Sequence, residues 1–398
     1  MKIFRNKEEV DINKYVVATY RMSSNQSLKA AAWNLAIGQS VGNPNVRNEW
    51  ETDSLFENHS CIIFADEKKL EEQKAGMVEI GFPVINSDWD NDGISHLLCQ
   101  LMGGHVDIDL ITSCRLIDLL IPECVKQHFL GPKFGITGLR KLTNQFNKPL
   151  FGAIIKPKTG ITSKVLLEMV KQVVEGGVDF IKEDEIMSNP ACCRLEERVE
   201  VIANYLSTQK KKIAFCHTIN GDPHVVLDRV RKVSELGGNG VHINVWSGLG
   251  VYNSIRKLDL PVFLHFQKSG DRVFTDRSHR FSIAWPVVCQ LATLMGADTI
   301  QAGMVGGYSN DDEIELMQAL KILREGNTVP ALSCGMHPGL VDFCIGRVGN
   351  DFMANVGGAV HGHPGGSRSG ALAMRQAIDK EHGKEYNQAI EKWGIVSA

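Results

Sequence analysis

The sequence predicts an α/β protein: a (β/α)8 TIM barrel preceded by a small N-terminal α+β, ferredoxin-like domain. Two observations carry that expectation. From about residue 150 onward, eight short apolar runs alternate with longer amphipathic stretches, and parallel strands buried on both faces read as continuous apolar runs. Before residue 125 that rhythm is missing, and strands and helices mix without alternating. A doubly wound sheet of eight strands would give the same count, but no G-x-G-x-x-G opens the first helix of the repeat.

In the first domain, residues 1–125, strands are expected at Tyr15–Tyr20, Cys61–Phe64, Met77–Ile80 and Cys114–Leu120, with helices near Leu28–Ala36 and Ile94–Leu101. This is a sheet covered by helices on one side. No Pro/Ser-rich linker follows, so this domain and the second, residues 126–398, are expected to pack together. The barrel strands are read at Leu150–Lys156, Val178–Glu183, Ile213–Ile219, Gly240–Val245, Val262–Phe266, Thr299–Gly303, Ala331–Cys334 and Phe352–Gly357. Helical patterns lie between them at Val165–Glu175, Arg194–Leu206, Val225–Leu236, Ile283–Leu294, Glu313–Arg324 and Ala371–Glu381. Glycines at 176–177, 237–238 and 296 close several helices, as C-termini prefer.

Composition narrows the function. A formal net charge of −3, with Lys210-Lys211-Lys212 as the densest basic cluster, implies no nucleic-acid partner. No apolar run reaches membrane-spanning length, and the opening Met1–Lys7 segment has no signal-peptide core behind it. Ten cysteines without C-x-x-C spacing, several in apolar runs, read as reduced core thiols of a cytoplasmic protein.

The segment Gly176–Glu185 carries the chemistry. It begins apolar and ends Lys182-Glu183-Asp184-Glu185. Side chains two apart on a strand share a face, which groups Phe180, Lys182 and Asp184. Glu185 lies where the backbone turns and is free to join them. Two carboxylates at one strand end suit a hard cation such as Mg²⁺. Lys182 fits in either of two ways: as an ammonium paired with the acids, or, capped by CO₂ as a carbamate, as a third anionic oxygen ligand.

Active sites of such barrels sit where strands end. The first barrel strand ends Lys156-Pro157-Lys158, two lysines on one face, suited to a substrate phosphate or to proton transfer. The fifth ends His265-Phe266-Gln267-Lys268, the sixth at Gln301, the seventh at Ser333-Cys334-Gly335 and the eighth at Gly357-Gly358, and His265, Gln267, Lys268, Gln301, Ser333, Gly335, Gly357 and Gly358 are the expected substrate-binding residues. Glycine-rich ends of strands seven and eight offer bare N–H groups to phosphate. His361-Gly362-His363 has the composition of a metal pair but lies in a glycine-rich loop.

Together, Ile155–Gly160, Gly176–Glu185 and Val356–Pro364 resemble ribulose-bisphosphate carboxylase large subunits and the RuBisCO-like proteins, one motif per strand end over nearly the whole chain. The resemblance implies that Lys182 is carbamylated by CO₂ and, with Asp184 and Glu185, binds Mg²⁺. It implies that Lys156 transfers protons with Lys158 beside it. Ser333, Gly335, Gly357 and Gly358 fall where the family holds substrate hydroxyls and phosphate. A homodimer or larger assembly is implied too, since in the family one subunit's N-terminal domain closes its partner's barrel.

Departures from the carboxylase pattern redirect the expected activity. The loop Gly303–Asp311 has no lysine, where carboxylases carry one that stabilises the carboxylated intermediate. Losing such a group removes about 3–4 kcal/mol of transition-state stabilisation. Gln267 and Lys268 replace a His-Arg pair, Gln301 replaces a histidine, and the position of an active-site asparagine falls at Gly104. Gly131–Gly135 and Gly335–Gly339 are similar to the 2,3-diketo-5-methylthiopentyl-1-phosphate enolases. Those enolases lack the Lys156–Lys158 pair, however, and take a base lysine from the N-terminal domain, which Asp109–Cys114 does not supply. The expectation is a Mg²⁺-dependent enzyme that forms an enediolate from a phosphorylated keto sugar or 3-oxo sugar acid, by decarboxylation or isomerisation. The enolase, a 5-methylthioribulose-1-phosphate isomerase and an inert binding homologue are the alternatives.

Overall fold

A computed structural model of the chain describes residues 3–309 and 311–397. Met1 and Lys2 of the expected first domain, Asn310 of the loop after the sixth barrel strand, and Ala398 lie outside the described residues. Fourteen strands occur among the described residues. In chain order they are β1 (Phe4–Arg5), β2 (Tyr15–Ser24), β3 (Ile62–Phe64), β4 (Ala75–Pro83), β5 (Ile111–Leu120), β6 (Leu150–Ile154), β7 (Phe180–Lys182), β8 (Ala214–Thr218), β9 (Gly240–Asn244), β10 (Phe263–Gln267), β11 (Phe281–Ile283), β12 (Thr299–Gly303), β13 (Val329–Leu332) and β14 (Met353–Val356).

They form two compact units. Among the described residues, the first comprises 3–129 with 271–291, and the second 130–270 with 292–397. The segment 271–291 therefore belongs with the N-terminal unit, whereas the sequence reading placed the whole of 126–398 in the barrel domain. Its strand β11 extends the N-terminal sheet, pairing in parallel with β5 from Phe281↔Cys114 to Ile283↔Leu116. The helix expected over Ile283–Leu294 begins later, at Trp285, because residues 281–283 are spent on that strand.

The N-terminal sheet runs β1-β3-β4-β2-β5-β11. Its long central pair, β2 and β4, is antiparallel from Tyr15↔Pro83 to Ser23↔Ala75. The helix Leu28–Gly38 packs against β2, β3 and β4, burying Ala31, Ala32 and Leu35. Arg115 of β5 is buried and donates to Thr275 O at 3.0 Å and to Ser282 Oγ at 2.7 Å, fastening segment 271–291 to this sheet.

In the second unit, β6, β7, β8, β9, β10, β12, β13 and β14 close into a parallel barrel. The helix Ser163–Glu175 shows why sequence builds these units. Thr162 Oγ1 caps it by accepting from Val165 N at 3.3 Å, a contact of a kind worth about 1 kcal/mol. Leu166, Val170 and Val173 fall on one buried stripe, and Gly177, at φ +86°, ends the turn in a conformation open to glycine. Inside the barrel, Leu150, Phe180, Ala214, Phe263, Val329 and Met353 form an apolar plug at the strand starts, with Leu139 inserted from the helix Gly135–Thr143. Each large side chain buried there contributes about 1.5–3 kcal/mol. Further along the same strands the interior turns polar, with Lys182, His242, His265, Gln267, Gln301 and Asn355 all buried.

Candidate active site

A cavity of about 600 Å³ opens at the carboxyl ends of the barrel strands. Of the residues singled out from sequence, it gathers Lys156, Lys158, Lys182, Asp184, Glu185, Gln267, Gln301, Ser333, Gly335, Gly357 and Gly358. His265 and Lys268 are not among its lining residues. His265 sits two residues before Gln267 on the inward face of β10, hence one layer deeper, where its ring stacks on His242 with centroids 5.8 Å apart. Burial, and then the nearby Lys182, push both imidazoles well below their usual pKa, which leaves them neutral. Lys268 is turned to Asp311, with Nζ 2.7 Å from Oδ1. The same Asp311 accepts from Met304 N at 3.0 Å and Ser309 Oγ at 2.6 Å, so the lysine-free loop after β12 is tied back to β10.

Lys182 is 1 % exposed, and its Nζ lies 3.7 Å from Glu185 Oε2 and 3.1 Å from Glu183 O. Burial lowers its pKa, against the raising influence of Glu185 and Asp184. Burial would raise the Glu185 carboxyl, but Lys182, then backbone and Ser269 hydrogen bonds, hold it below its usual value. Asp184 pairs with Lys156 Nζ. Gly357 leaves room for Lys156: a Cβ on it would stand 3.2 Å from Lys156 Cε and press on the lysine's tip. Gly335 is required by conformation, at φ +111°.

Strand alternation turns Glu183 away from this cluster, onto the outer face of the barrel wall. There Arg198 Nε donates to its Oε1 at 2.8 Å, His217 Nδ1 lies 2.9 Å from the same oxygen, and Thr218 N donates to Oε2 at 2.8 Å. Burial pushes the Glu183 carboxyl up, but Arg198 and then His217 bring it down to about 2. Thr218 Oγ1 also donates to Asp184 O at 2.8 Å, and Asn220 Nδ2 to Glu185 O at 2.7 Å. The backbone carrying both carboxylates is thus clamped from behind.

The histidines of 361–363 are not a metal pair. His361 Nε2 donates to Ile154 O at 3.1 Å while Nδ1 faces Ser367 Oγ at 2.9 Å. His363 Nε2 donates to Glu385 O at 3.0 Å and its Nδ1 accepts from Gly365 N at 3.0 Å. Both imidazole lone pairs are engaged within the protein.

Among the described residues, no group of three His, Cys, Asp or Glu side chains is placed to hold a metal ion. Asp184 and Glu185 are an oxygen pair that lacks a third anionic member, and Lys182 is the side chain placed to become one. A buried amine with a lowered pKa is richer in its neutral form, which is the form that captures CO₂. The residues present therefore fit Mg²⁺ held by Asp184, Glu185 and a carbamylated Lys182. Ser269, Asn355, Tyr308, Met336, His337 and Trp393 also line the cavity and were not found from sequence. Of these, Asn355 gave a signal, as a polar residue inside an apolar strand run.

Comparison with known proteins agrees with this architecture. The family described as "Ribulose bisphosphate carboxylase large chain, catalytic domain" matches residues 135–393. The chain is 28 % identical over 424 residues to a ribulose bisphosphate carboxylase of Archaeoglobus fulgidus, covering 96 % of this chain and 95 % of that one. It is 29 % identical over 406 residues to a 2,3-diketo-5-methylthiopentyl-1-phosphate enolase of Exiguobacterium sibiricum, covering 96 % and 99 %. Among solved structures it is similar to a rubisco-like protein from Alicyclobacillus acidocaldarius, at 29 % identity and a TM-score of 0.83, covering 96 % of this chain and 100 % of that one. Two different activities stand at nearly equal identity, so identity does not choose between them.

Proposed function

Because this chain belongs to the ribulose bisphosphate carboxylase large-chain family, we propose that it is a Mg²⁺-dependent lyase or isomerase acting on a phosphorylated keto sugar or 3-oxo sugar acid, and not a CO₂-fixing carboxylase. The observation that carries this reading is one cavity holding Lys182, Asp184 and Glu185 beside Lys156 and Lys158. Bound there, Mg²⁺ would supply Lewis-acid stabilisation of the charge that develops on a ketone oxygen and its neighbouring hydroxyl. Lys182, once its amine has added to CO₂ and released a proton, provides the missing anionic oxygens. Lys156, poised against Asp184, holds or moves the proton at the substrate's α-carbon. Lys158, with the N–H groups of Gly357 and Gly358, receives the phosphate. The absence of a lysine from Gly303–Asp311 argues against carboxylation, and the loop's Asp311 engages Lys268 instead.

The test separates the two central lysines. Lys182→Ala is expected to abolish Mg²⁺ binding measured by calorimetry in bicarbonate. Lys156→Ala should keep that binding and lose about 10²–10⁴-fold in solvent deuterium exchange at the substrate's α-carbon. The exchange screen spans phosphorylated ketoses, 3-oxo sugar acids, and the substrates of the enolase and of the 5-methylthioribulose-1-phosphate isomerase. Mg²⁺ binding that is absent, or unchanged by Lys182→Ala, would favour an inert binding protein.

A further inference from the structure

Behind the barrel wall lies a second, smaller cavity that shares no residue with the one at the barrel mouth. It measures about 150 Å³, and its apolar walls are Leu142, Ile202, Ala203, Leu206, Ile213 and Phe215. These come from the helices Gly135–Thr143 and Leu195–Ser207 and from the chain entering β8. Ile202, Ile213 and Phe215 are buried, whereas Leu142, Ala203 and Leu206 are half-buried, so the slot opens toward the surface. Asn239 also borders it, but its amide is spent on the backbone: Oδ1 accepts from Phe215 N at 2.8 Å, and Nδ2 donates to Ile213 O at 2.8 Å. The polar group left at the inner end is His217, which lines the slot and is 1 % exposed.

Proton accounting fixes what His217 presents there. Ala214 and Cys216 belong to the apolar plug inside the barrel, so alternation turns Phe215 and His217 outward toward the helices. An ionised Glu183 can only accept, so the imidazole proton sits on Nδ1, 2.9 Å from Glu183 Oε1. Burial, opposed by Glu183, lowers the pKa of the ring and keeps it neutral, which leaves Nε2 a bare acceptor. Among the described residues, no donor reaches Nε2. The ring nitrogens of His242 and His265 also lack partners but are sealed in, and His217 Nε2 is not one of these sealed atoms. The slot thus ends at a lone pair that is open to a visitor. Buried polar groups without a partner are rare in folded proteins.

We propose that this slot binds a small phenol, with its ring between Ile202, Leu206 and Phe215 and its hydroxyl donating to His217 Nε2, and that the bound phenol tightens the Mg²⁺ site. An apolar cavity of about 150 Å³ lined by Leu, Ile and Phe accommodates one benzene-sized ring. The link to the metal site is a run of hydrogen bonds. His217 Nδ1 donates to Glu183, Thr218 N donates to the same carboxylate at 2.8 Å, and Thr218 Oγ1 donates to Asp184 O at 2.8 Å. Hydrogen bonds in a chain polarise one another, so a donor at Nε2 strengthens those behind Asp184. Binding in the slot stands apart from the proposed function, and only its effect on Mg²⁺ rests on that reading.

The probe is phenol itself, titrated calorimetrically into the full chain, with toluene as the same shape without the donor. Phenol is expected to bind about tenfold more tightly than toluene, on the scale of one hydrogen bond. Ala203→Leu fills the slot without touching His217 or Glu183 and should abolish phenol binding. Leu206→Trp repeats the test and carries it if the first variant does not fold. Saturating phenol should tighten Mg²⁺, titrated in bicarbonate, by about fivefold, the low end of usual coupling between sites. Ala203→Leu should remove that gain. No binding of phenol, equal binding of toluene, or binding that survives both substitutions would overturn the proposal. An unchanged Mg²⁺ affinity with phenol bound would overturn the link. If the chain binds no Mg²⁺ with or without phenol, the proposed function falls together with the link, and the phenol titration still decides the slot.

Discussion

Replacing Arg198 with methionine tests whether the wall behind the carboxylates sustains both fold and metal site. The guanidinium is fully buried and donates to Glu183 Oε1 at 2.8 Å, Cys193 O at 2.9 Å and Thr218 O at 2.9 Å, and also to Ser188 O. Methionine fills much of the same volume and donates to none of them. Removing one partner of a buried ion pair costs about 3–5 kcal/mol. The stranded carbonyls belong to the same loss and are not added to it. At about 2–4 °C per kcal/mol for a domain of this size, the thermal midpoint should fall by roughly 6–20 °C. A second effect follows from Thr218, which takes a hydrogen bond from Arg198 and holds Asp184 O at 2.8 Å. Loosening that clamp should weaken Mg²⁺ binding by about 10–100-fold, the usual scale for residues that orient ligands. The assay pairs a denaturant melt with a Mg²⁺ titration well below the variant's midpoint. A stability loss under about 1 kcal/mol, or an unchanged Mg²⁺ affinity, would refute the reasoning.

Three further expectations follow from the same geometry. Incubation with ribulose bisphosphate and labelled CO₂ should yield no phosphoglycerate, and product at enzyme-like turnover would overturn the reading of the lysine-free loop. Burial, then Lys156, bring the His361 imidazole down from an ordinary 6.5 to about 4, against its hydrogen bond to Ile154 O. The unfolded chain therefore binds more protons than the native one between those values, and stability should fall as pH drops from about 6.5 through 4, by about 3 kcal/mol at about 1.36 kcal/mol per pH unit. His361→Gln should flatten that acid limb in denaturant melts. Finally, the minimal active unit is expected to be a homodimer, and a fully active monomer in sedimentation at micromolar concentration would contradict it.

The barrel was legible because its strands are buried on both faces and read as apolar runs with little interference. The mouth was legible wherever a polar residue follows such a run directly, as at Lys182-Glu183-Asp184-Glu185. Local spacing failed where the partner comes from elsewhere. Alternation puts Glu183 opposite Asp184, but nothing nearby announces that Arg198 arrives from the next helix to meet it. Lys268 reads from sequence as a substrate-binding residue, and only the structure shows it turned to Asp311 on another loop. His265 reads as part of the strand end but lies one layer below the cavity lining, because strand ends cannot be fixed to a residue from sequence. Strand β11 was hidden because its three residues run straight into a helical pattern.

That short strand sets a condition on how the protein is made. The sheet of the N-terminal unit ends at β5 until Phe281–Ile283 has been synthesised, 161 residues after Leu120 (281 less 120). At about 5–20 residues per second, the growing chain carries β5 as a bare edge for roughly 8–32 s. Open strand edges recruit other strands, and a charged side chain on the edge is one of the ways proteins discourage this. Arg115 stands on that edge, and in the finished fold it is buried against Thr275 and Ser282. Until Thr275 and Ser282 have been synthesised, Arg115 lacks both of these partners, and its charge is of the kind that discourages edge pairing. A fragment that stops before residue 281 keeps Arg115 without the strand it locks, and should associate more readily than the full chain.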